Sequence, residues 1–177
     1  MLINQNTLTI PEITFWFTNA NAVYHSKKKQ SEEEYANTLK EIASCSSIDS
    51  FWNVYQHLKH TNQLDEGISF QVFKKGIKPT WECEANRNGG KFSFYVRKDI
   101  TNLIWEEVLI AFAGGVLPHY EHVNGISVKV GKDCDMICIW FGEFNKVKCV
   151  QMRDDFKMFL QIPQCVNVKL VSFERLK

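Results

Sequence analysis

Six short stretches of this chain, residues 13–17, 69–73, 92–96, 126–130, 136–140 and 166–170, alternate side chains with a period of two. An extended strand sends successive side chains to opposite faces, so each stretch predicts a strand with two unlike sides. Three intervening segments carry helical spacing instead: Phe51, Tyr55 and Leu58 after Ser47; residues 103–112 after Thr101; and Phe156, Phe159 and Leu160 ahead of Pro163. Strands with interspersed helices, lacking strict alternation or a glycine-rich crossover, predict an α+β fold built on an antiparallel sheet. We expect one domain over residues 1–177, with a flexible N-terminus (1–10) and a long surface loop (19–34) that contains Lys27-Lys28-Lys29 and Glu32-Glu33-Glu34. One segment is ambiguous. Residues 31–34 form a capping-box pattern, and Tyr35, Leu39 and Ile42 fall at helical spacing, so pattern alone predicts an amphipathic helix there.

Charge narrows the function classes. Lys and Arg total 21 against 20 Asp and Glu, so there is no general field for polyanions and any contact with nucleic acid must be local. No apolar run approaches the roughly 20 residues of a bilayer span, and the first nine residues lack a signal-peptide pattern, so no membrane association is expected. Six scattered cysteines without a CxxC pair suggest reduced, intracellular thiols. Aromatic residues make up 13% of the chain, more large rings than a small core demands, so some are expected to serve as working surfaces.

The most informative string runs from Phe73 through Trp81 and Glu82, followed by residues 85–91 and a strand. It sets a Trp and a carboxylate side by side in an inter-strand loop. In isolation such a pair reads as structural more often than as a ligand site. The extended string closely resembles the cap-binding loop of the eukaryotic translation initiation factor 4E family. The resemblance continues through residues 13–17, 48–55, the helix of Trp105, residues 125–140, and a last helix running into Ile162-Pro163. It implies a curved antiparallel sheet with three helices on its convex back and a cap slot on the concave face. It also makes residues 38–45 a strand, against the helical pattern noted above.

Carried over by that resemblance, Trp81 and Tyr35 stack on the two faces of 7-methylguanine, whose positive charge adds cation–π attraction of roughly 1–2 kcal/mol per ring. Glu82 accepts hydrogen bonds from the base edge, Trp140 meets the methyl group, and Lys91 stands where the family has a basic residue. The usual phosphate-binding Arg position is Gly131 here, and the next expected Lys is Met136. Lys129 and Lys132 are candidate substitutes, equally readable as solvated surface lysines. Tyr35 and Ile13 replace tryptophans of the conventional class. That pattern resembles the second class, which includes the 4E-homologous repressor, and implies weaker cap affinity.

A second surface follows from the same resemblance. Ile48, Trp52, Glu107, Ile110 and Gly114 would form a groove for the Tyr-x-x-x-x-Leu-hydrophobic helix of scaffold or repressor proteins. Trp52, which alone would read as a buried helix residue, becomes an exposed anchor, and Glu106 replaces an apolar residue in a way expected to alter partner choice. The implied partners are capped mRNA and those helices, engaged by a cytoplasmic or nuclear monomer without a cofactor. Two rival readings remain. One is an interaction protein that uses the Trp52 groove with weak or lost cap binding. The other is a metal-dependent enzyme using His57 and His60, or His119 and His122, with Cys134 or Cys138; no catalytic motif accompanies those pairs, and no catalytic or metal site is expected.

Overall fold

In a computed structural model, the described residues are 8–19, 38–163 and 165–176. Seven strands form one sheet: β1 (Thr9–Asn19), β2 (Leu39–Ser47), β3 (Ile68–Lys74), β4 (Gly90–Arg97), β5 (Val123–Lys129), β6 (Cys134–Phe141) and β7 (Lys169–Ser172). Among the described residues there are three α-helices: α1 (Ile48–Tyr55), α2 (Lys98–Ala113) and α3 (Lys146–Phe159). The sheet order is β2-β1-β3-β5-β6-β4-β7, and every neighbouring pair is antiparallel.

This order explains why the helices share a side. β2 and β3 flank β1, β4 and β5 flank β6, and β6 and β7 flank β4. Each such pair is therefore mutually parallel and must be joined by a connection that travels the length of the sheet. The three helices lie on those connections. Crossovers between parallel strands are right-handed almost without exception. The β4-to-β5 step reverses both the strand direction and the direction across the sheet, a half-turn that preserves the face. One handedness thus places all three helices on the convex back and leaves the concave face clear.

The core lies between the back of the sheet and the helices. It joins Ile13, Phe15, Val72, Phe92, Ile126, Ile137 and Ile139 to Phe51 of α1, Trp105, Leu109 and Phe112 of α2, and Met152 and Phe156 of α3. Local chemistry starts two of the helices. Ser47 caps α1 by accepting from the Ser50 amide (3.1 Å) while Ser50 Oγ accepts from the Ser47 amide (3.0 Å). The Asn145 side chain accepts from the amides of Val147 and Lys148 at the start of α3.

Five of the six expected strands coincide with β1, β3, β4, β5 and β6. The sixth begins later than expected, at Lys169. Val166 instead turns back to donate to the Pro163 carbonyl (2.9 Å), and Val168 is buried. Residues 39–47 are strand, as the resemblance implied for residues 38–45 and against the helical pattern at Leu39 and Ile42; pairing with β1 decides the conformation. Thr9 and Ile10, expected in a flexible terminus, already belong to β1, and the Leu8 carbonyl accepts from the Ile48 amide (3.0 Å). Thr101 is not a cap. Helix α2 starts a turn earlier, and the Thr101 hydroxyl donates to the Arg97 carbonyl.

On the concave face, Phe73 of β3 lies opposite Gly125 of β5. A β-carbon at Gly125 would stand 2.3 Å from the Phe73 ring, so the ring occupies the space that the missing side chain vacates. Gly125→Ala should therefore destabilise the protein by about 1–3 kcal/mol, read as a lower urea midpoint with unchanged slope. An unaltered midpoint would mean that the ring can move aside.

Candidate functional site

The register sorts the concave side chains into rows across the sheet. One row holds Thr14, Phe73, Gly125, Trp140, Lys91 and Val171. Its rings make a small second cluster, separate from the core. Trp140 meets Phe73 edge-on (centroids 5.4 Å, 71°) and Phe173 at 4.9 Å, while Trp81 and Ile77 lean against the group. Ser127 accepts from Trp140 Nε1 (3.1 Å) and fixes the indole's orientation. The result is an apolar floor in an otherwise polar sheet face, with Trp81 only partly buried at its edge. Trp140 is 8% exposed, so a ligand can reach only its rim.

Trp81 and Glu82 sit in the connection between β3 and β4, which runs over one end of β5 and β6 because those strands intervene in the sheet. Asn86, fully buried, holds this loop from inside. Its Nδ2 donates to the carbonyls of Lys78 (2.9 Å) and Thr80 (2.8 Å), immediately before Trp81. Asn124 at the start of β5 donates in turn to Asn86 Oδ1 (2.9 Å) and to the Ala85 carbonyl (2.8 Å). Two side-chain amides thus replace the strand pairing that a loop lacks. Sequence reading missed both, although an Asn within a turn-rich string is a usual backbone-bonding residue. Among the described residues, no hydrogen bond or ion pair engages the partly buried Glu82 carboxylate. Tyr35 lies outside the described residues.

The cations divide. Lys91 Nζ lies over the Trp140 ring, 5.2 Å from its centroid, so it covers the aromatic floor as well as lending charge. Lys129 is exposed at the end of β5 and Lys132 in the following turn. Burial pushes the Cys138 thiol up, against the opposing pull of Lys91, the Ser127 hydrogen bond and Lys129. Gly131 is tightly placed: a β-carbon there would stand 2.2 Å from the Cys134 carbonyl oxygen, and its amide donates to Asp135 Oδ1 (3.1 Å). A side chain at position 131 would require the backbone of this turn to shift.

On the back, Ile48, Trp52, Ile110 and Gly114 line one apolar groove with Ile10, Phe51 and Ala113. Trp52 is 45% exposed and packs edge-on against Phe51 (5.2 Å) and Tyr55 (5.6 Å), which set its angle without covering it. Glu107 is exposed on α2, one turn before Ile110 on the same helix face. Glu106 faces Tyr55: burial first, then the Glu106 charge and hydrogen bond, push the Tyr55 hydroxyl up to about 12.

The histidines are held separately. His57 Nδ1 lies 2.7 Å from the Asn53 carbonyl, His60 Nδ1 3.2 Å from Asn102 Oδ1, and His119 Nε2 2.7 Å from Asp155 Oδ2. Among the described residues, no group of three or more His, Cys, Asp and Glu is placed to hold a metal. All six cysteines are unpaired.

The family model for eukaryotic initiation factor 4E matches residues 12–176. Curated relatives include the translation initiation factor NCBP of Triticum aestivum, 28% identical over 86% of this chain and 63% of that protein. Eukaryotic translation initiation factor 4E of Candida albicans is 29% identical over 91% of this chain and 77% of its own. The chain spans less than two thirds of the length of the wheat NCBP and of its rice counterpart. Among solved structures, the C. elegans eIF4E-3 complex with the 4E-binding protein Mextli and a cap analog superposes with a TM-score of 0.83 at 22% identity, over 96% of this chain and 95% of that one. Ascaris suum eIF4E-3 with the m2,2,7G cap gives 0.79 at 24% identity, over 93% and 90%.

Asn86→Ala removes the bonds that brace the Trp81 loop. Hydrogen exchange of residues 78–89 should accelerate at least tenfold while β5 and β6 keep their protection, with a stability loss of about 1–3 kcal/mol. Unchanged exchange in that loop would show that the side-chain amides do not hold it.

Proposed function

The chain belongs to the eukaryotic initiation factor 4E family, and on that premise we propose that it binds the 7-methylguanosine cap of mRNA on its concave face and regulates translation through a partner helix on its back. The observation that carries the cap reading is the pairing of Trp81 and Glu82 on one braced loop beside the Trp140 floor. Stacking on Trp81 selects the cationic, methylated base, because neutral guanine forfeits the cation–π attraction. Glu82, with its carboxylate unengaged among the described residues, accepts from N1–H and the 2-amino group, donors that adenine does not offer in that arrangement. Tyr35 supplies the opposite stacking face, Trp140 meets the methyl group, and Lys91, Lys129 and Lys132 meet the phosphates. Similarity to structures described with a cap analog and with the m2,2,7G cap supports this reading.

The groove around Trp52 supports the second half of the proposal. Ile48, Trp52 and Ile110 are large, apolar and exposed in one patch, which suits the Leu-hydrophobic end of a Tyr-x-x-x-x-Leu-hydrophobic helix. In this reading the protein acts as a cytoplasmic or nuclear monomer and as a binding factor, not an enzyme. Tyr35 and Ile13 favour the second class of the family. One observation favours the rival, an interaction protein with weak cap binding: the turn at Gly131 has no room for the phosphate-binding Arg.

Calorimetric titration separates these readings. 7-Methyl-GTP should bind at least tenfold more tightly than GTP, and Glu82→Gln should weaken it at least tenfold. Equal, feeble binding of both nucleotides would sink the cap reading and leave the groove as the working surface.

A synthetic helix carrying Tyr-x-x-x-x-Leu-Leu should bind wild type and lose roughly tenfold or more in affinity with Trp52→Ala, while 7-methyl-GTP binding stays unchanged. Retained peptide affinity in that variant would remove the groove from the proposal.

A further inference from the structure

The dipeptide Asn-Gly occurs at Asn88-Gly89 and again at Asn124-Gly125, and it carries a chemistry that neither the cap slot nor the groove uses. An asparagine followed by glycine can close on itself. The glycine's backbone nitrogen, once it has given its proton to solvent base, bonds to the asparagine Cγ; the Cγ–Nδ2 bond breaks and the side-chain nitrogen leaves as ammonia. Water then opens the cyclic imide at either carbonyl, giving aspartate or isoaspartate without any oxidation or reduction. Glycine permits the attack because no β-carbon obstructs the approach. The fold decides whether the two reacting atoms can meet.

The two sites differ in that respect. Asn124 is 9% exposed and lies in β5, between β3 and β6. Its Nδ2 is held by the Ala85 carbonyl and Asn86 Oδ1, and Gly125 is covered by the Phe73 ring. Reaction there requires the middle of the sheet to part. Asn88 is exposed in a turn, and among the described residues no hydrogen bond engages its side chain. One bond restrains the attacking nitrogen, from the Gly89 amide to the Asn86 carbonyl (2.8 Å). That carbonyl belongs to the residue whose side chain braces the Trp81 loop. A local opening of the loop therefore frees the nucleophile without unfolding the sheet.

We propose that Asn88 is a site of spontaneous deamidation, gated by the Asn86 brace, and that its isoaspartyl product unlatches the Trp81 loop. Isoaspartate routes the main chain through the former side-chain carbon and so lengthens it by an atom. The chain has no slack at this place. A β-carbon at Gly89 would stand 1.9 Å from the Phe141 carbonyl oxygen and one at Gly90 2.4 Å from that of Val171, while the Asn88 carbonyl accepts from the Phe144 amide (2.9 Å). The modification stands independently of the cap reading; only its consequence for 7-methyl-GTP rests on that reading.

The test ages wild type, Asn86→Ala and Asn88→Gln at mildly alkaline pH and follows each site by peptide mass spectrometry and isoaspartyl methyltransferase labelling. Asn88 should convert at least tenfold faster than Asn124, and Asn86→Ala, which populates the open loop, should speed it roughly fivefold or more. Hydrogen exchange of residues 78–89 should accelerate in aged wild type and stay unchanged in aged Asn88→Gln. Aged wild type should bind 7-methyl-GTP about tenfold more weakly, whereas fresh Asn88→Asp, which adds the charge without the extra atom, should stay within about twofold. An intact Asn88 amide after ageing, or conversion no faster than at Asn124, overturns the proposal. Equal rates in wild type and Asn86→Ala overturn the gate, and unaltered exchange in the isoaspartyl form overturns the unlatching. If fresh wild type does not bind 7-methyl-GTP, the cap reading falls, while the mass and exchange measurements still decide this one.

Discussion

Phe73 fills the space above Gly125, and the aromatic part of the concave face rests on that fit. The ring gives Trp140 an edge-on partner, Phe173 closes the other side of the indole, and Trp81 leans on the group they form. Each aromatic pair contributes roughly 0.5–1.5 kcal/mol beyond area burial, so the cluster is modest in energy. Its value is positional. A sheet face open to solvent has no core to hold a tryptophan in place, and here Phe73 of β3, Cys138 and Trp140 of β6 and Phe173 just after β7 provide a miniature one.

Much of this was legible in advance, for identifiable reasons. Alternation located β1, β3, β4, β5 and β6 because each has one face in the core and one outside it, the condition under which period two is written into side-chain type. The same logic failed at the last strand, where Val166 and Val168 continue the pattern before pairing begins. It failed at residues 39–47 because β2 is an edge strand with much of its length exposed, leaving a short apolar spacing free to mimic a helix. In the site, Trp81, Glu82 and Trp140 were visible as residue types with chemistry to offer. Asn86 and Asn124 were not, since an asparagine that braces a loop looks like any turn residue until its partners are known. On the back, the spacing of Glu107, Ile110 and Gly114 on α2 sets them on one helix face, and the apolar residues that line the groove include Ile48, Trp52 and Ile110.

The concave face and the apolar groove on the back, the two surfaces of the proposed function, are kept apart by the handedness of the crossovers. Because all three helices must lie on the back, the concave face is left to side chains from strands and end loops, and the groove is left to α1, α2 and the start of β1. A ligand on one side and a partner on the other therefore do not compete for space. Any influence between them has to pass through the sheet. The strand residues available for that are the close-packed ones, such as Ile126, Ile137 and Ile139, which lie behind the concave row of Gly125 and Trp140.

The turn at Gly131 has a consequence for how this chain can change over time. In a lineage where an arginine had merely been replaced, one substitution would bring it back. Here the Cys134 carbonyl occupies the place of the first side-chain atom, so a reverting codon alone would distort the turn before it restored any charge. Recovery would require the backbone between β5 and β6 to be rebuilt first, with no benefit until the second change arrived. An arginine at 131 is therefore not a one-step gain, and an added cation on this face is accommodated first at positions whose side chains already have room, on the strands to either side.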